Sequence, residues 1–150
     1  MLSRDDISRL IPHAGTMCLL DRVIEWNADT VVCASRTHGA LDNPLRHDGR
    51  IGAVCGIEYG LQAMAVHGAL IAGARQPVGY LVRLGDVAVS IDFLDELGAE
   101  LIVRAELVQS LPGGYGYAFA LSAGALSAGA LPAGDRTPMI SGRATIALVA

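Results

Sequence analysis

A chain of 150 residues, 52% hydrophobic and 17% charged, has the length of one domain and the apolar content for one well-formed core. Its 11 basic side chains are all arginine and face 15 acids, and the net charge of −4 argues against nucleic acid as the main partner, since a polyanion selects a basic face. Three cysteines, Cys18, Cys33 and Cys55, are an odd number, and the opening Met1 to Asp6 lacks the basic and apolar regions of a signal peptide, so a cytoplasmic protein with reduced thiols is expected.

Residues Arg4 to Leu10 read as a short helix with Ser3 as N-cap and Asp5 and Asp6 in its first turn, stopped before Pro12. Leu19 to Trp26 and Thr30 to Thr37 read as the two strands of a hairpin turning at Asn27, Ala28 and Asp29. Gly39, Asn43, Pro44, Asp48, Gly49 and Gly52 punctuate an irregular segment from His38 to Gly52. Residues 53 to 73 contain no proline and are apolar nearly all round, as in a helix enclosed by protein; Glu58, Gln62 and His67 interrupt the run and speak against a membrane span. Gly56, Gly60 and Gly68 suggest that another backbone, or a ligand, comes close to this helix. Four further strands are expected at Val78 to Ile91, Leu101 to Ser110, Tyr115 to Ser122 and Pro138 to Val149. A five-residue unit recurs from Leu121, Leu126 and Leu131, and residues 125 to 136 read as a flexible hairpin loop without a function of its own. The pattern predicts a single α+β domain over residues 1 to 150, a curved antiparallel sheet wrapping one central helix, whose open edge strands favour a dimer.

Chemistry is expected where the loop from Asn43 to Arg50 runs into the central helix. Glu58 sits in the first turns of an otherwise apolar helix, and a carboxylate there is costly unless something uses it. Arg46 and Arg50 are either solvated loop arginines or contacts for a phosphate-bearing or acidic partner. Gln62, one turn beyond Glu58, is placed to orient a water or Glu58 itself. His13 reads as a backbone-bonded residue at the mouth of the fold, His67 as a satisfied core histidine, and Cys55 as a small buried thiol. No spacing of His, Cys or acids suggests a metal site, and no glycine-rich phosphate loop follows a strand.

The run from Ile11 through Pro12, His13 and Leu19 to Asp21, Arg22 and Val23 resembles the opening signature of the hot-dog-fold 3-hydroxyacyl-[acyl-carrier-protein] dehydratases, and Glu58 followed by Gln62 is similar to their central-helix motif. Closer still is the resemblance to the predicted dehydratases of aryl polyene biosynthesis, carried by Thr37 and His38, Asp42 to Leu45, Gly49 and Arg50, and Gly56 to Tyr59. The chain departs from the usual dehydratase at one place: the residue fourteen before Glu58, where a catalytic histidine belongs, is Pro44. His38 or His47 is then the candidate to take over, with His38 preferred because it stands in the pattern of the closer branch.

The resemblance implies a hot-dog fold, a dimer whose acid and histidine come from opposite subunits, and an acyl tunnel beside the central helix. It further implies an acyl carrier protein as partner and neither a metal nor a redox cofactor. Dehydrating a 3-hydroxyacyl thioester needs a base for the C2 proton and an acid for the departing C3 hydroxyl, roles assigned to Glu58 and a histidine. Backbone N–H groups around Cys55 and Gly56 are candidates to stabilise the thioester oxygen, with Gly56 allowing close approach and Asn43 joining Gln62 in substrate binding. Three readings stay open: a dehydratase, an acyl thioesterase, and a non-catalytic subunit that completes an active partner, as a homodimer or a heterodimer.

Overall fold

The computed structural model describes residues 1–13, 15–77, 79–124 and 137–148; the expected loop at 125 to 136 lies outside them. Strand β1 (Leu2–Ser3) leads into helix α1 (Arg4–Leu10), where Ser3 and Asp6 exchange bonds with each other's backbone N–H groups in a capping box. Strands β2 (Arg22–Trp26) and β3 (Thr30–Ser35) form the expected hairpin, and the Asn27 side-chain oxygen accepts the N–H groups of Asp29 and Thr30 to build its turn. A 3-10 turn (Ala53–Cys55) runs into the central helix α2 (Gly56–Ala72), which ends on left-handed Gly73. Then follow β4 (Gly79–Val89), β5 (Leu101–Leu111), β6 (Gly114–Ala123) and β7 (Ile140–Leu148).

β2 starts three residues later than its apolar run suggests. The N–H of Leu19 is taken by the Gln62 side chain, and its carbonyl accepts the hydroxyls of Ser35 and Thr37, so this stretch is bonded to side chains before the strand begins. Thr37 correspondingly leaves β3 for a 3-10 turn (Thr37–Gly39).

All seven strands join one antiparallel sheet in the order β1-β2-β3-β5-β6-β7-β4. Helix α2 packs on β3, β5 and β6, with Tyr117, Phe119 and Leu121 alternating inward along β6 to meet it. Although the helical stretch Ala53–Ala72 is long and apolar enough to cross a membrane, most of it is buried inside the protein. Gly56 and Gly60 are packed against side chains, chiefly of the sheet, rather than another backbone, whereas Gly68 lines a cavity. A Cβ on Gly56 would stand 2.5 Å from Ile140 Cδ1, and one on Gly60 would stand 2.8 Å from the Phe119 ring. His67 is a core histidine as expected. Its Nε2 faces the Asn27 carbonyl, which can only accept, so that nitrogen carries the hydrogen and Nδ1 accepts the Tyr117 hydroxyl at 2.8 Å.

The Asp21-Arg22 pair of the opening signature is structural. Asp21 receives the Arg4 guanidinium and the Arg36 N–H, while Arg22 forms a two-pronged pair with buried Glu100, which holds that carboxyl below its usual pKa. β4 is the opposite of this closed region. It ends the sheet, is exposed along nearly all its length, and carries Tyr80, Val82, Leu84, Val87 and Val89 outward.

The glycine face of α2 sets a steric limit. Gly60→Val, despite improved helix propensity, is expected to destabilise the fold by about 2 kcal/mol through overpacking against Phe119, measured as a lowered urea midpoint at unchanged m-value.

Candidate functional site

Helix α2 presents one stripe to a cavity, Glu58, Leu61, Gln62, Ala65 and Gly68, at the three- and four-residue spacing of a single helical face. This stripe, the Pro12-His13 segment after α1, and residues of β4, β6 and β7 including Leu81, Tyr115 and Ile146 enclose a cavity of about 230 Å³. Its lining is mostly apolar, with His13, Glu58 and Tyr115 as the titratable side chains. Glu58 is exposed, occupies the first turn of α2 where the helix dipole favours an anion, and has no hydrogen-bond or ion-pair partner among the described residues. It is therefore not a capping or bridging carboxylate in the subunit.

Gln62 lines the cavity, but its amide is engaged at both ends: Oε1 accepts the Leu19 N–H at 2.8 Å and Nε2 donates to the Met17 carbonyl at 2.7 Å. It fixes the chain before β2 to the helix rather than orienting Glu58. Asn43 is likewise structural. Buried, it donates to the Thr37 carbonyl and the Tyr59 hydroxyl and accepts the Leu45 N–H, so it holds the loop against the start of α2 and lies outside the cavity lining.

The expected oxyanion donors are spent. The Cys55 N–H bonds to the Gly52 carbonyl and the Gly56 N–H to those of Ala53 and Val54, because the 3-10 turn extends the helix backwards and satisfies its first donors. The side of Gly56 where a thioester was expected to approach is filled by Ile140 and Leu121. Burial, reinforced by Glu58, pushes the Cys55 thiol up, which keeps it from acting as a thiolate.

Neither of the two expected loop histidines lines the cavity that Glu58 lines. His47 is 93% exposed beside Asp48, in a tight loop where it pairs with Arg50 through the backbone. His38 is buried beneath the connection between β4 and β5, its Nε2 on the Leu97 carbonyl at 3.1 Å and its Nδ1 enclosed without a partner. Both ring nitrogens are thus covered within the subunit. The two arginines are also committed. Arg46 donates to the Ala40 and Gly49 carbonyls, and Arg50 pairs with Asp95 and Glu96 while lying 3.8 Å over the Phe93 ring. Among the described residues no three His, Cys, Asp or Glu side chains converge as metal ligands.

Sequence reasoning undervalued His13. It lines the same cavity as Glu58, and among the described residues its buried Nδ1 has no partner. The signal was the Pro-His pair itself, a polar ring set just before an apolar segment that had to be packed.

A family model described as ApeP-like, ApeP dehydratase, matches residues 5–121. Among solved structures, the chain is similar to the dehydratase heterocomplex ApeI:P from Xenorhabdus doucetiae, with a TM-score of 0.76, 20% identity, and coverage of 96% of this chain and 91% of that one. It is also similar to zebra fish thioesterase superfamily member 2 (TM-score 0.61, 12% identity, 99% and 100% covered). A mutant thioesterase from Staphylococcus aureus subsp. aureus Mu50 follows at TM-score 0.57 and 10% identity, with 85% and 92% covered. These likenesses establish the hot-dog fold. No curated protein matches the sequence.

Burial holds the His38 imidazole below its ordinary value of 6.5, against the opposing pull of the Leu97 and Ala99 carbonyls. The unfolded chain therefore takes up a proton that the fold refuses, so stability is complete above about pH 6.5 and is lost as the pH falls toward the lowered folded value. His38→Gln is expected to lose less stability than the wild type between about pH 7 and pH 5, compared by urea unfolding at both.

Proposed function

The chain belongs to the ApeP-like dehydratase family, and from that premise we propose that it removes water from a 3-hydroxyacyl thioester carried by an acyl carrier protein, with Glu58 exchanging a proton with the substrate. One observation carries this reading: an unpartnered carboxylate on the cavity-facing stripe of an otherwise apolar helix. Glu58 is exposed and bonded to no described residue, so its carboxylate is open to the cavity, where an acyl chain held beside it would make its proton transfers productive. The cavity's aliphatic lining suits an acyl chain, and aryl polyene or fatty-acid-like synthesis is the proposed setting.

We further propose that the working unit is a dimer with a second hot-dog subunit, formed along β4. An eleven-residue edge strand with outward valines, a leucine and a tyrosine is the kind of edge that pairing covers, and Leu81 of that strand also lines the cavity. Pro44 at the usual histidine position gives a specific reason to retain a second reading, in which this subunit completes a partner's site.

The decisive assay incubates a 3-hydroxyacyl carrier protein with the purified chain, alone and with a co-expressed hot-dog partner, and reads the carrier's intact mass. Loss of one water is expected, and Glu58→Gln is expected to slow it by at least about 100-fold with fold and assembly intact. Release of the acyl group would indicate a thioesterase, whereas dehydration unaffected by Glu58→Gln in the complex would favour the completing-subunit reading. For assembly, Val82→Lys combined with Leu84→Lys is expected to leave a folded monomer, measured as molar mass by light scattering; an unchanged mass would move the interface away from β4.

A further inference from the structure

We propose that His13 is the second proton-transfer group of this site, working opposite Glu58 on the same substrate; the inference rests on the dehydratase reading above. The chain has four histidines, and three are accounted for. His67 is saturated in the core; His38 has an unpartnered Nδ1 too but lies outside the cavity lining; and His47 is on an exposed loop, also outside that lining. His13 alone among them shares the cavity with Glu58.

Its Nδ1 is enclosed yet has no hydrogen-bond partner among the described residues. A buried polar nitrogen left unpaired is unfavourable, and native folds tolerate one mainly where a ligand or ordered water completes it. The segment bearing the ring is anchored on both sides. Before it, Ile11 is buried and its N–H bonds to Ile7; after it, the Arg4 guanidinium holds the Gly15 and Cys18 carbonyls and Gln62 holds Met17 and Leu19. A ring held between such anchors is preorganised against the α2 stripe.

The chemistry balances with these two groups alone. The Glu58 carboxylate takes the C2 proton, and the electron pair of the broken C2–H bond becomes the second bond between C2 and C3. The C3–O bond breaks with its pair on oxygen, which receives a proton from the His13 imidazolium and leaves as water. Glu58 is left protonated and His13 neutral, and transfer of that proton from Glu58 to His13, directly or through water, restores the starting state. No oxidant, reductant or metal is consumed. The acid is supplied in cis by the segment after α1, which explains how a chain with Pro44 in place of the loop histidine keeps a complete pair.

The test uses the protein with its co-expressed partner subunit and a 3-hydroxyacyl carrier protein, following loss of water by intact mass across about pH 5.5 to 9. His13→Gln and His13→Asn are both made, and the one that keeps the wild-type thermal midpoint is used. It is expected to be slower by about 100-fold or more and to lose the basic limb of the rate profile, which a merely structural histidine would leave in place. Adding Glu58→Gln to it should slow the reaction little further, since the two act as one unit. Dehydration by the wild type that is undiminished in the His13 variant overturns this assignment while leaving the dehydratase reading standing. If Tyr115→Phe collapses the rate instead, the role passes to that phenol. No dehydration by the wild type brings down the dehydratase reading, and this one with it.

Discussion

The two-ended bond of the Gln62 amide is the constraint on which the cavity depends. One end accepts from Leu19 and the other donates to Met17, and the residue itself is buried on the helix stripe that carries Glu58. A glutamine with both ends satisfied by backbone acts as a strut of fixed length, because shortening or rotating it would leave a buried N–H or carbonyl unpaired. The wall bearing His13 and the wall bearing Glu58 therefore cannot slide independently. The glycine face of α2 performs the complementary task on the far side, letting Phe119 and Ile140 seat so closely that the helix is pinned against the sheet.

Electrostatics in the molecule follow a division of labour that net charge conceals. Arg4, Arg22, Arg46 and Arg50 hold loops and strand ends together through carboxylates and carbonyls, and the Ile51 N–H with Arg50 keeps Asp95 below its usual carboxyl range. The motif that gives the opening signature its recognisable form thus supports the scaffold, while Glu58 is left without any cation to neutralise it.

The elements with local causes were legible in the sequence. The Ser3 cap, the Asn27 turn and the unbroken apolar run of α2 each depend on neighbours within a few residues, and Glu58 stood out because a charge in such a run needs a reason. What escaped depends on distant partners. The late start of β2 is decided by Gln62, Ser35 and Thr37, and the position of β4 at the end of the sheet beside β7 by a register that no local pattern encodes. The same holds for the site. Spacing marked Cys55, Gly56, Asn43 and His38 as polar or permissive positions near the carboxylate, yet their bonding groups are turned to neighbouring carbonyls or their faces to the sheet. His13 lies far from Glu58 in sequence and shares a cavity with it only in the folded chain.

The open flank of β4 also bears on how the chain behaves at high concentration. A long edge flanked by valines is a template for any extended chain, and the register shifts at Leu81/Arg83 and Gly85/Ala88 twist it without closing it. Wherever that edge stays bare it invites self-association, so the same strand that shapes one wall of the cavity also limits how concentrated the lone chain can become before it aggregates.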